Sequence, residues 1–146
     1  MKEIFVLGRL VLGSYFLYSG FHHFVAVRSM AQFAHAKGVP MPEVAVLGAG
    51  VLLIIAGLSF LLGVVPKLGI AAAALFLVPV TLMMHQFWKE AGAARMADTV
   101  NFTKNFGLLG AVLMFAAVPE PWPLSLGSRW LTFRQQHRRR IPVFTH

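Results

Sequence analysis

His22, His23 and His85 stand at the ends of apolar runs, and Trp88, Lys104 and Asn105 stand near comparable boundaries. An imidazole titrates near neutral pH, so these histidines could carry protons, ligate a metal or haem iron, or only mark where a helix leaves lipid. Lys104 and Asn105 could orient an acceptor oxygen or an anion. Neighbouring His22 and His23 point about 100° apart on a helix, poor for joint ligation, and no histidine spacing matches a metal motif. With no cysteine, the chain also lacks thiolate nucleophiles, disulfides and thiolate metal sites. The residue types therefore argue against a bound metal or haem, and for protonic or hydrogen-bonding work on a quinone-like head group.

Such residues need elements to position them, and composition names the elements. The chain has 146 residues, 58% of them hydrophobic and 12% charged, with a mean hydropathy of +0.71. A soluble domain this short could not hide so much apolar surface. Four apolar blocks, 4–24, 44–65, 68–84 and 102–118, are each roughly 25–33 Å long as helices, enough to cross a hydrocarbon core. The fold class is all-α, an integral membrane four-helix bundle over residues 1–125 with a short interfacial helix between spans 1 and 2. The first block is too long for a signal-peptide core and is expected to stay in the protein.

Pro66 and Lys67 link the second and third spans, which makes those helices antiparallel neighbours. Small residues four apart, Ala45 and Ala49, Gly69 and Ala73, Gly107 and Ala111, predict close helix packing. Pro79 predicts a kink in the third span. Lysine and arginine divide eight to five in favour of the side holding the termini and the 66–67 turn, which puts both termini in the cytoplasm. His22, His23, His85, Lys104, Asn105 and Trp88, with Arg95 and Asp98 nearby, then gather at the non-cytoplasmic end. Arg9 falls on one helical face with Gly13, Phe16, Ser19, Gly20 and His23, a face expected to look inward. Its ordinary reading is a snorkelling anchor, as interfacial accumulation is for the whole cluster.

Ser29 and Gln32 at capping-box spacing, with Gly38 and Pro40 as a stop, predict a helix over 30–37 lying across the non-cytoplasmic mouth as a lid. Met30, Phe33 and Ala34 would face into the bundle, with His35 near the rim. Residues 126–146 form a basic, aromatic-containing tail. Arg129, Arg134, Arg138, Arg139 and Arg140 there suit anionic membrane headgroups or docking to a protein partner in a larger membrane complex. The net charge of +8 is expected to serve lipid and topology, with no nucleic acid as partner.

The runs "GRLVLGSYFLYSGFHHF", "FAHAKGVPMPEVAVLGAG", "IIAGLSFLLGVVPKLG", "HQFW" and "NFTKNFGLLGAVLMF" together resemble the DoxX family of small bacterial four-helix membrane proteins, over about residues 8–118. By that resemblance Gly8, Arg9, Ser19, Gly20, Gly38, Pro40, Pro42, Gly57, Gly63, His85, Trp88, Lys104 and Asn105 occupy family-motif positions. The likeness implies an inner-membrane location. It also implies a subunit of a thiosulfate:quinone oxidoreductase, or an anchor for sulfur-transfer and oxidative-stress proteins. Relatives often carry a glutamate in the second span; here Leu53 stands in its place, which deprives Arg9 of a carboxylate partner.

Two functions are expected from these residues. In the first, the protein is an inner-membrane redox subunit handling a quinone or small sulfur compound at the non-cytoplasmic mouth. His85, His23 and Lys104 would be catalytic and Asn105, Trp88, Ser19 and Arg9 would bind or position. In the second, it is a non-catalytic anchoring subunit of a larger complex.

Overall fold

Backbone amides inside lipid must find partners within their own segment, and the chain meets this with helices. The computed structural model describes residues 1–127: α1 (Lys2–Val25), α2 (Val27–Ala36), α3 (Pro42–Leu62), α4 (Pro66–Met84) and α5 (Gly92–Met114), with 3-10 turns at Phe87–Lys89 and Phe115–Ala117. Among the described residues four helices, Lys2–Val25, Pro42–Leu62, Pro66–Lys89 and Gly92–Ala117, are long and apolar enough to cross a membrane. The all-α bundle with a short helix between its first two spans is the observed architecture. The arginines from 129 onward, and the interfacial arm expected of them, lie outside the described residues.

Boundaries moved where polarity and helicity part company. The fourth span begins at Gly92, ten residues before the apolar run, because "GAARMADTVN" is rich in helix formers without being apolar. Asp98 is therefore a helical residue. The link between α3 and α4 is not Pro66–Lys67 but Gly63 to Val65, with Gly63 (φ 65) and Val65 (φ 47) left-handed and Pro66 at the first helical position of α4. Ser59 closes this turn by donating to the carbonyls of Val64 (2.7 Å) and Val65 (3.0 Å). The lid helix starts at Val27, separated from α1 by Ala26 alone. Ser29 does not cap it; its hydroxyl donates backward to the carbonyl of Ala26 at 3.0 Å. The end is as expected. Gly38 (φ 78) sits where a left-handed residue is required, with Gly38 N–H donating to His35 (2.9 Å) and Val39 N–H to Ala34 (3.0 Å), the paired bonds of a Schellman motif.

α1 packs most extensively along α3, and glycine makes this possible. A Cβ on Gly57 would stand 2.6 Å from Leu17 N and 2.9 Å from Gly13 O, and one on Gly20 would stand 2.9 Å from Ile54 N. Helix backbones are thus in direct contact, which supplies dispersion where lipid gives little drive for association. The three pairs expected to pack fare differently. Gly69 lies against Ser59 and Ala73 is fully buried, so that pair packs α4 on α3. Gly107 meets nothing within 4 Å and both it and Ala111 face outward. Ala45 and Ala49 border a cavity instead of a helix. α4 continues as helix through Pro79.

At the end that carries the N-terminus, residues 119–127 fold back onto the bundle. Trp122 is fully buried, its ring 5.3 Å from Phe5, 5.9 Å from Phe60 and 5.4 Å from Phe115. Arg9 is only 2% exposed. Its Nη1 donates to the carbonyl of Pro123 and Nη2 to that of Leu124, each at 3.3 Å. The guanidinium also lies beside Gly63, just past the C-terminus of α3, where the helix dipole favours a cation. Arg9 is thus an inward-facing residue and not a snorkelling anchor. Leu53, 0% exposed in the apolar core with Phe16 and Ala56, leaves it carbonyls for partners. Gly63→Ala is expected to cost about 2 kcal/mol, from a left-handed alanine and a Cβ that would lie 2.5 Å from Ser125 Cβ. Limited proteolysis should then cut within residues 119–127, whereas Gly8→Ala, whose Cβ meets nothing, should leave the pattern unchanged.

Candidate functional site

The second end of the bundle is organised by an ion-pair cluster between elements far apart in sequence. Lys37, at the C-terminus of α2, donates to Asp98 Oδ2 of α5 and to Glu90 Oε1 of the α4–α5 link, each at 2.7 Å. The other oxygen of Asp98 accepts from His85 Nδ1 at 3.2 Å. The side chains are largely enclosed: Asp98 8%, His85 14% and Lys37 16% exposed. Hydrogen bonds to Asp98 and Glu90 hold the Lys37 ammonium above the ordinary lysine pKa. Lys37 therefore keeps its charge throughout the neutral range. Two carboxylates against one ammonium leave an excess negative charge, which the Nδ1–H of His85 stabilises.

This cluster also explains the end of α4. No glycine or proline occurs between His85 and Glu90, so no local residue forces the helix to stop there. The break is held by tertiary contacts: His85 on Asp98, Glu90 on Lys37, and the rings of Phe87 and Trp88 at 5.3 and 5.9 Å from Phe102.

Beneath α2, between α3 and α4, lies a cavity of about 580 Å3. Met30, Phe33 and Ala34 roof it, as expected of a lid. Ala45, Gly48, Ala49 and Leu52 form one wall at helical spacing, and Leu75, Phe76, Pro79, Val80 and Met83 form the other. Leu75 is 62% and Met83 38% exposed, so the cavity is a groove open to the lipid-facing side. From Leu75 to His85 it follows ten residues of α4, about 15 Å. Among the described residues its polar side chains are His23, Ser29 and His85, and no lysine or arginine borders it.

The two histidines are poised alike. His23 Nδ1 lies 2.7 Å from the carbonyl of Ser19, and a carbonyl can only accept, so Nδ1 carries the hydrogen. His85 Nδ1 faces a carboxylate with the same consequence. Both rings border the groove and each keeps Nε2 as its remaining nitrogen, the His23 ring resting edge-on against Phe76 at 5.8 Å. Ser19 contributes through its backbone carbonyl. His22 points elsewhere, stacked on Tyr18 at 6.3 Å and exposed.

Other residues singled out in the sequence are not brought to the groove. Lys104 is exposed and donates to Asn101 Oδ1 at 3.0 Å one turn earlier. Asn105 is buried on α5 at 6% exposure without bordering the groove. Trp88 is 51% exposed in an aromatic patch with Phe87 and Phe102. Arg9 lies at the opposite end of the bundle. Sequence reasoning gave no role to Lys37 or Glu90 and counted Asp98 only as a neighbour. The usable signal was scarcity: a chain with five acidic residues that places two beside a span end is pairing them. Among the described residues no group of three His, Asp or Glu side chains could hold a metal ion.

The family model for DoxX matches residues 4–86, which takes in α1 to α4, both histidines and the whole groove. The chain belongs to the DoxX family. It is also similar to inner membrane protein YphA of Escherichia coli strain K12, 25% identical over 126 residues that cover 86% of this chain and 89% of that protein. No solved structure matches. This DoxX chain, with its four apolar helices, is a multi-pass inner-membrane protein.

Proposed function

We propose that this DoxX protein is the membrane subunit of a redox system and binds a lipid-soluble quinone in the groove between α3 and α4. The observation that carries the reading is the meeting of a long apolar groove with His85, an imidazole anchored by Asp98 at its polar end. A quinone supplies electron and proton transfer together. The groove would take its ring and the start of its chain from the bilayer, with a quinol hydroxyl donating to the bare His85 Nε2, or a quinone carbonyl accepting from that nitrogen when the imidazole carries a second proton. Asp98 holds the imidazole in place through Nδ1. His23 stands further along as a second donor or acceptor. A small sulfur anion suits the groove poorly, because among the described residues no cationic side chain borders it and the nearby Lys37 is already paired with two carboxylates. Without cysteine, the chain has no thiol to exchange electrons with sulfur, which assigns any sulfur half-reaction to a partner. With both termini in the cytoplasm, the groove opens in the outer half of the membrane.

Titration of the purified protein with a short-chain quinone analogue, followed by tryptophan quenching, tests this. Saturable binding is expected, weakened about tenfold by His85→Ala, the equivalent of one lost hydrogen bond. Gly48→Phe should abolish binding without lowering the melting temperature, since a Cβ there meets nothing within 4 Å. Binding that ignores both substitutions, or no binding at all, would rule the quinone site out.

A second reading, a structural subunit docked in a larger assembly, draws on α5. Its outward face carries Gly107, Gly110 and Ala111 against nothing in the bundle, a close-approach surface of the kind membrane helices use for one another. Gly107→Leu is expected to release a co-purifying partner; a chain that always emerges alone after gentle solubilisation removes this reading.

A further inference from the structure

On the side of α2 turned from the groove, a separate hollow of about 550 Å3 is bordered by Arg28, Gln32 and His35 of α2 and by Glu43 from the first turn of α3. The three α2 residues follow one another at spacings of four and three, which stacks them on one helical face. Their side chains and that of Glu43 make no hydrogen bond or ion pair with any described residue. Arg28 and Glu43 border one hollow without forming a salt bridge to each other. Lys37, Glu90 and Asp98 behave oppositely, pairing with one another nearby. The hollow's depth is set by its chain positions: Arg28 comes three residues after the end of α1, and Glu43 is the second residue of α3. It therefore sits where two spans leave the hydrocarbon, at headgroup level.

We infer that this hollow holds the phosphoethanolamine head group of a membrane phospholipid. Arg28 offers a planar fork of N–H donors to phosphate oxygens, with Gln32 and His35 as further donors. Glu43 takes the primary ammonium at the other end of the head group. A trimethylammonium group would call for aromatic faces, and among the described residues no Phe, Tyr or Trp borders the hollow. An anionic glycerol head group offers Glu43 no cation and sets its negative charge against the carboxylate. The inference is independent of the quinone reading, since the two hollows lie on opposite sides of α2.

The test is reconstitution of the full chain in nanodiscs with equal parts phosphatidylethanolamine, phosphatidylglycerol and phosphatidylcholine, followed by native mass spectrometry of retained lipid. Phosphatidylethanolamine is expected to be enriched about fivefold over the other two, the scale of one accessible ion pair. Glu43→Gln should remove that preference while lipid is still retained, and Arg28→Gln should lower retention of phosphatidylethanolamine and phosphatidylcholine alike. Both residues are exposed, so folding is not at stake, and Arg95→Gln at the exposed start of α5 is the control. Equal retention of the three lipids, or a preference that survives Glu43→Gln, overturns the proposal. Displacement of the lipid by soluble glycerophosphoethanolamine at equal concentration overturns the membrane source.

Discussion

Gly57→Ala is expected to leave little folded protein, with a loss of about 3 kcal/mol, the upper end of the usual range for overpacking. The added methyl would stand 2.6 Å from Leu17 N and 2.9 Å from both Gly13 O and Leu17 Cα. None of these is the movable tip of a side chain, so relief requires α1 and α3 to separate along the bundle's largest interface. Separation would also loosen Phe16 from Phe60, now 6.0 Å apart at the ring centroids. Gly107→Ala is the matched contrast. Its Cβ meets nothing, and alanine's better helix propensity, up to about 1 kcal/mol, should leave stability unchanged or raised. Thermal unfolding of both variants in one detergent reads the difference, and equal losses at the two sites would refute the backbone seam.

Asp98→Ala is the second large effect, and it is expected to strike stability and ligand binding together. One carboxylate serves Lys37 through Oδ2 and His85 through Oδ1. Its removal leaves Lys37 with Glu90 alone, a 32% exposed partner, and leaves the His85 ring without its anchor. Breaking a buried ion pair from one side costs about 3–5 kcal/mol, and the residual solvent access of Lys37 places this case near the lower figure. Much of that cost is the stranded ammonium. Lys37→Met combined with Asp98→Ala should therefore be less destabilised than the sum of the single variants. Strict additivity in that double-mutant cycle would show that the two groups do not act as a pair. Quinone-analogue affinity should fall in Asp98→Ala toward the level of His85→Ala, because one change releases and the other removes the ring that presents Nε2.

The contrast between Gly57 and Gly107 also marks where sequence reasoning stopped. Both lie in apolar runs with small residues nearby, and in lipid the outer face of a helix is as apolar as the inner one. Hydrophobic periodicity, the usual guide to a buried face, is then nearly silent. That is why Ala45 and Ala49 read as packing residues when they line a groove. Arg9 is the exception: a charge in a span must turn inward or reach the surface, and the glycines on its face indicated inward. The carbonyls of Pro123 and Leu124 closing over Arg9 from more than a hundred residues away had no local signal.

The amino-acid sequence by itself determined four crossings, the helix over the mouth with its glycine stop, the gathering of histidines at one end and the family likeness. Each follows from local composition, since the bilayer demands long apolar helices and glycine alone readily takes the left-handed turn. Only the tertiary structure decided which histidines share a cavity, which glycines are crossing points, and that Lys37, Glu90 and Asp98 form one charged unit. Those facts depend on helix rotation and on distant pairs such as Lys37 and Asp98, 61 residues apart, and no segment of the chain carries that information alone.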